Sequence, residues 1–175
     1  NWTSGKNNTT EEFKDKEGRV VLKRTYADII TDGVTTETAA KHDTYYIYDQ
    51  FNNLSAVVPP LANGDATETS LNNLGYQYKY DYRNRLVEKK LPGKQWEFII
   101  YDKLDRPVAT GPAFSPYGEN SVGWMITEYD VFGRVTQTGW KQMPVSELDR
   151  KNNQEAVNNG TTVFALAADQ LLTKN

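Results

Sequence analysis

A short frame of residues recurs five times along the chain and constrains its fold more than any other feature. Each copy begins with Asp, and the residue three positions later is Gly, Asn or Asp. Asp favours the first position of a type I turn because its carboxylate accepts the backbone N–H two residues on. Gly, Asn and Asp tolerate the left-handed backbone that follows this turn in a three-residue hairpin loop. We number these turns 1 to 5; their paired residues are Asp15 and Gly18, Asp49 and Asn52, Asp81 and Asn84, Asp102 and Asp105, and Asp130 and Gly133.

Strand-like segments flank these turns. Residues 76–80 alternate Tyr with Gln or Lys, which is the period of two expected of a strand with one packed face. The residue before Asp is Tyr in four turns and Lys14 in turn 1. The sequence therefore predicts a mainly β fold, in which tandem antiparallel β-hairpins form one twisted or curved, open sheet. The four tyrosines are expected to form a structural aromatic ladder, each ring packing on the next repeat: Tyr48, Tyr80, Tyr101 and Tyr129.

Two regions are predicted, with hairpin repeats over residues 1–142 and a partly helical C-terminal segment over residues 143–175. Ser146 resembles a helix N-cap, and Asn158–Gly160 would end that helix. The apolar segment Thr162–Leu172 is compatible with a strand or a helix, and its Ala and Leu content favours a short helix that covers the sheet. We expect the segment to lead into a further repeat or to cap the sheet. Asp32-Gly33 predicts an additional hairpin turn.

Composition argues against several classes of function. The chain of 175 residues has no Cys and one His, His42, which disfavours thiolate chemistry and a zinc site. Its net charge is −3 without a basic block, so we expect no nucleic-acid partner. No apolar stretch is long enough for membrane insertion. A catalytic carboxylate pair is needed once, whereas these Asp residues recur in every turn, so no catalytic, metal or cofactor site is predicted.

The full frame, Tyr-Asp-x-x-Gly-Arg followed by Leu or Val, resembles the YD or RHS repeat of bacterial RHS proteins, toxin-complex shell subunits and teneurins. The resemblance covers roughly residues 11 to 140, and residues 17–23 and 85–90 look most like RHS proteins of Bacteroidetes. It implies a wall segment of a β-sheet shell that encloses or presents a C-terminal effector or toxin, in a secreted or cell-surface protein. Asn53 departs from the pattern because it replaces the Arg of turn 2.

The leading interpretation is a non-enzymatic structural segment whose partner is the remainder of the same polypeptide. The alternative is an adhesive module that binds a glycan or a cell-surface protein through an aromatic sheet face. Three tryptophans are the candidate ligand surface, Trp2, Trp124 and Trp140, whereas Trp96 is expected to be buried. Self-association through exposed sheet edges is a further expectation.

Overall fold

The computed structural model describes residues 5–118 and 120–174. It confirms the predicted mainly β fold: eleven antiparallel strands lie in a sheet whose order follows the chain from β1 to β11. Trp2 lies outside the described residues. The strands are β1 Thr10–Lys14, β2 Val20–Thr31, β3 Val34–Tyr48, β4 Leu54–Val58, β5 Tyr76–Tyr80, β6 Leu86–Lys90, β7 Trp96–Tyr101, β8 Pro107–Phe114, β9 Val122–Tyr129, β10 Val135–Lys141 and β11 Leu171–Lys174.

The chain divides into two compact units, one made of Asn1–Tyr78 and Lys90–Gln95, the other of Lys79–Lys89 and Trp96–Asn175. In the first unit, β2 and β3 form a long ribbon that turns at Asp32 and Gly33, both with positive φ. The extra hairpin that this pair predicted is therefore the tip of the ribbon. A short helix, α1 (Glu68–Asn73), follows β4. The buried apolar side chains of this unit belong to Tyr26, Ala40, Ala56, Val58 and Ala62.

The second unit contains the larger apolar core. Trp124, Ile100 and Ile126 have no exposed surface, and Phe98, Ala109 and Phe164 pack with them. Full burial of one Ile or Phe side chain stabilises a fold by about 1.5–3 kcal/mol. Two glycines bring other chain segments close to this sheet, since a Cβ on Gly123 would lie 2.2 Å from the Lys141 carbonyl oxygen and one on Gly139 2.4 Å from that of Gln170.

Helix α2 (Glu147–Asn158) belongs to the second unit and packs there through polar side chains and through Val157, which contacts the apolar core. It begins as the sequence predicts, because the Ser146 hydroxyl accepts the N–H of Asp149. The Gln154 amide accepts the backbone N–H of Tyr101 at 2.9 Å and donates to the Tyr101 carbonyl at 2.7 Å. Arg150 pairs with the buried Glu88 at 2.9 Å. Two hydrogen bonds to the backbone of Tyr101 and two ion pairs, Arg150 with Glu88 and Glu147 with Lys79, thus anchor the helix.

The prediction of a helix over Thr162–Leu172 is wrong. Residues 161–167 are irregular, a single 3-10 turn covers Ala168–Gln170, and β11 follows and pairs with β10. Packing overrides the helical preference here, because the Phe164 ring joins the core and the N–H of Leu166 donates to Glu128. The last strand therefore stands in the sheet beside the fifth hairpin.

Across the described part of the chain, neither helix combines the length and apolar character needed to cross a membrane.

Candidate functional site

All five turns have one backbone geometry. The residue three positions after Asp is left-handed in each, with φ of 84° at Gly18, 68° at Asn52, 58° at Asn84, 62° at Asp105 and 82° at Gly133. The N–H of that residue donates to the carbonyl oxygen of the leading Asp at 2.9–3.2 Å. The turn chemistry that the sequence predicts is thus the geometry found at every copy.

One carboxylate oxygen of each leading Asp accepts two backbone N–H groups. In turn 4, Oδ1 of Asp102 accepts the N–H of Leu104 at 2.9 Å and that of Arg106 at 3.0 Å. The sequence predicts only the first bond, two residues on. The second extends the clamp to the residue that opens the outgoing strand, and it recurs in the other four turns.

The other carboxylate oxygen holds the residue four positions after Asp. In four turns that residue is Arg, and its Nε donates to Oδ2 at 2.7–2.8 Å in the turns led by Asp15, Asp81, Asp102 and Asp130. Charge-assisted bonds of this length are among the stronger hydrogen bonds in proteins. In turn 2 the Asn53 amide replaces the guanidinium, and its bond to Asp49 is 3.1 Å long.

Three of these guanidinium groups lie on the tyrosine that precedes the next turn of the same compact unit. The distance from Cζ to the ring centroid is 4.8 Å for Arg19 on Tyr48, 4.8 Å for Arg85 on Tyr101 and 4.7 Å for Arg106 on Tyr129. This spacing is that of a cation–π contact. We call each such pair, with the Asp that holds the Arg, an Arg–Tyr junction.

The tyrosine hydroxyl closes the junction from the other side. It donates to the carbonyl of the residue that follows the arginine: Tyr48 to Val20 at 3.0 Å, Tyr101 to Leu86 at 2.8 Å and Tyr129 to Pro107 at 3.0 Å. Each junction therefore combines a ring contact with a hydrogen bond, and both are directed to one end of an outgoing strand. The geometry explains why Tyr, with an apolar ring and a polar tip, suits this position.

The arginine also reaches the next turn itself. The Nη1 atom of Arg85 donates to Oδ1 of Asp105 at 2.8 Å, and that of Arg106 donates to the Asp130 carbonyl at 3.1 Å. In the first unit, Nη1 of Arg19 donates to the Asn52 side chain. One guanidinium thus connects its own turn, the following tyrosine and the following turn.

The leading carboxylates stay ionised because of these bonds. Partial burial acts to raise the pKa of Asp102, but the N–H and the guanidinium of Arg106 and the N–H of Leu104 outweigh it and lower the pKa. At Asp130 the backbone N–H of Arg134 is the largest cause, and it lowers the pKa. A depressed pKa marks these groups as acceptors of fixed hydrogen bonds, whereas a general acid needs a raised one.

The predicted ring-on-ring ladder needs a correction. The partner that the structure gives Tyr48, Tyr101 and Tyr129 is an arginine of the preceding repeat instead of another ring. All four repeat tyrosines, Tyr80 included, are half-buried. The sequence signal for this arrangement is the Arg of the frame, because Arg has the planar cation that stacks on a ring and binds a carboxylate at once.

Trp124 and Trp140 do not form a ligand surface, and that interpretation is wrong. Their exposed fractions are 0% and 5%, and each indole N–H donates to a backbone carbonyl at 3.0 Å, that of Pro144 and that of Ala113. A large apolar ring buries well once its N–H has a partner. Trp96, which was expected to be buried, is half-buried with the Lys79 ammonium 4.6 Å from its ring centroid.

An open cleft of about 410 Å³ lies beside turn 4, between Arg106, Glu128 and Val163. Its charged groups already have partners: Arg106 binds Asp102, and Glu128 accepts from Gln137 and from the N–H of Leu166. Within residues 5–118 and 120–174, no three His, Asp or Glu side chains lie close enough to hold a metal ion.

Comparison with known proteins shows the fold. No protein-family model matches the chain. No curated protein matches it either. Among solved structures, the crystal structure of TcdB2-TccC3-TEV is similar, with a TM-score of 0.57 and 14% identity over 78% of this chain. That of TcdB2-TccC3-Cdc42 is similar with a TM-score of 0.57 and 13% identity over 79% of the chain. This chain spans about 6% of the length of either neighbour.

Proposed function

We propose that the chain is a non-enzymatic structural segment of a YD-repeat protein and forms part of a β-sheet wall. The observation that carries this proposal is the Arg–Tyr junction. It recurs at three places and uses the charged and aromatic side chains of the frame to connect one hairpin to the next. Side chains that connect one repeat to the next serve the assembly of the sheet, and a sheet of coupled hairpins is suited to enclosing or presenting another part of the polypeptide.

The finer parts of the proposal rest on the resemblance of the frame to RHS proteins. In that setting the wall surrounds a C-terminal effector or toxin of a secreted or cell-surface bacterial protein. The similarity of the fold to the TcdB2-TccC3 structures supports this setting. The relationship to Bacteroidetes proteins rests on the wording of residues 17–23 and 85–90.

The adhesive alternative has less support. A sugar-binding face needs accessible rings, and the faces of Tyr101 and Tyr129 are occupied by guanidinium groups. Two of the three tryptophans assigned to that face are buried. The repeat tyrosines and the two buried tryptophans therefore favour the scaffold role.

The test uses the longer polypeptide that this proposal requires. Replacing both Arg85 and Arg106 with Ala removes two junctions, and we expect the C-terminal region to become at least several-fold more sensitive to limited proteolysis. The control is Lys103→Ala, since Lys103 lies at the exposed tip of turn 4 and the variant removes a cation there without removing a junction. Unchanged protection in the double variant, or equal loss in the control, would contradict a wall role for this segment.

A further inference from the structure

Turn 5 contains one half of an Arg–Tyr junction. The Nε of Arg134 donates to Oδ2 of Asp130 at 2.7 Å, and its N–H donates to Oδ1 at 2.9 Å, as in the turns that carry complete junctions. Its exposure differs, however. The Arg134 side chain is 75% exposed, compared with 9% for Arg85 and 25% for Arg106. Asp130 thus orients the Arg134 guanidinium as in the other turns. The face of the guanidinium that covers a tyrosine in the complete junctions is exposed here.

A ring from the same turn lies near that guanidinium. The Phe132 centroid is 5.3 Å from Cζ of Arg134, farther than the 4.7–4.8 Å of the complete junctions. Phe132 is itself 81% exposed, so this contact buries little of either side chain. The contact of Phe132 with Arg134 differs from a complete junction in two ways. Phe132 has no hydroxyl to donate to a backbone carbonyl, and its ring comes from the turn itself instead of a neighbouring strand.

The register of the sheet fixes where the missing ring belongs. In the first unit Leu22 pairs with Tyr45, so Arg19 lies opposite Tyr48, three residues along each strand. In the second unit Ala109 pairs with Ile126, and the same offset places Arg106 opposite Tyr129. Arginine and tyrosine of a junction are thus directly opposed across two antiparallel strands.

The same offset applies to β10 and β11. Gln137 pairs with Lys174, so Arg134 lies opposite the position three residues beyond Lys174. We propose that Arg134 and Asp130 form a binding site for a tyrosine at that position, on a continuation of β11 that enters a further Asp-led turn. The inference rests on the proposed function and adds to it the residue that receives the next hairpin.

The topology favours an occupant in cis over a second copy of the protein. The two neighbours of β10 in the sheet are β9 and β11, so only an extension of β11 reaches the place opposite Arg134. A second copy of the protein would add its strand beyond β11, one strand away from the guanidinium. The site therefore recognises the register of a strand in cis.

The test extends the chain from Asn175 with one Ala and a copy of residues 101–110, which brings the copied tyrosine three residues beyond Lys174. The matched control inserts a second Ala before the same copy, which shifts the ring to the other face of the strand. We expect the in-register extension to raise Tm by roughly 2–4 °C over the shifted one. Arg134→Ala should remove that difference, and changing the copied tyrosine to Leu should remove it as well.

NMR provides a second readout that does not depend on stability. In the in-register protein the Cδ protons of Arg134 should move upfield under the ring, and they should keep their positions in the shifted protein. Equal Tm values for the two registers, or a difference that survives Arg134→Ala, would overturn the inference. If Arg85 and Arg106 remain energetically coupled to their tyrosines while Arg134 shows no coupling to the added tyrosine, this inference fails and the proposed function stands.

Discussion

A comparison of turns 2 and 4, which have Asn53 and Arg106 at the same position, separates the folding of a hairpin from its coupling to a neighbour. In both turns Oδ1 of the leading Asp accepts two N–H groups, and the left-handed residue closes the loop. The second oxygen holds the guanidinium of Arg106 in turn 4 but only the amide of Asn53 in turn 2. The hairpin forms either way. The comparison teaches that Asp and the left-handed residue make the turn, whereas Arg and Tyr connect turns.

The largest effect should come from removing the residue that serves both purposes. Asp102→Ala takes away two acceptors of backbone N–H groups and the partner of Arg106, and we expect the free energy of unfolding to fall by about 2–4 kcal/mol. Urea unfolding followed by tryptophan fluorescence measures it. Asp49→Ala is the matched variant and should cost less, because no arginine depends on that carboxylate. An equal or larger loss at Asp49 would break the comparison.

The backbone of the turn comes next. Gly133 has φ of 82°, and Gly133→Val should destabilise the protein by about 1–3 kcal/mol, since a β-branched residue resists positive φ. Gly133→Asn is the control and should be nearly neutral, because Asn occupies the same position in turns 2 and 3 at φ of 68° and 58°. Thermal unfolding of the two variants decides between these outcomes; a harmless Val would contradict the left-handed assignment.

Much of this architecture can be predicted from the sequence because turn chemistry is local. The Asp and the residue three positions later define each hairpin, and the alternation of residues 76–80 gives β5 its bounds. The Ser146 cap likewise gives the start of α2. These signals depend on neighbours within four residues, so no knowledge of tertiary contacts is needed.

The junctions and the core could not be predicted in this way. The separation between Arg and its Tyr differs in each junction, because loops such as residues 115–121 vary in length, so the register is not visible in the sequence. Trp124 was expected to be exposed, and its burial depends on the distant Phe164 ring and the Pro144 carbonyl. The Ala and Leu content favours a helix over a strand where β11 lies, and the pairing with β10 that overrides this preference is not visible in the local sequence.

Lowering the pH should reduce the contribution of the turns to the stability of the fold. The pKa of Asp81 and that of Asp102 are lowered in the folded protein by hydrogen bonds that outweigh partial burial. Their contribution to stability is therefore complete above about pH 4, near the unfolded pKa of Asp, and is lost as pH falls through the lower folded values. Urea midpoints measured from pH 6 to pH 2 should fall steeply at the acidic end. Asp102→Asn should flatten that fall, and an unchanged slope would contradict the assignment.

The smallest expected effect is a gain. Asn53→Arg restores the frame residue of turn 2 and gives Asp49 a guanidinium partner like that of the other turns. Such a half-exposed pair adds little, so we expect Tm to rise by about 1 °C. Asn53→Lys is the control, since a Lys cannot make the planar paired contact and should give a smaller rise. A loss of stability in the Arg variant would show that Asn53 has a role in turn 2 that the comparison misses.

The central claim is that the Arg–Tyr junction couples one hairpin to the next, and a double-mutant cycle on Arg106 and Tyr129 tests it most directly. Arg106→Ala and Tyr129→Leu, singly and together, should give a coupling energy of about 0.5–2 kcal/mol in urea unfolding. Replacing Tyr129 with Phe keeps the ring under the guanidinium and loses the hydrogen bond to Pro107, so most of the coupling should remain. Additive single effects, with no coupling between Arg106 and Tyr129, would contradict the account.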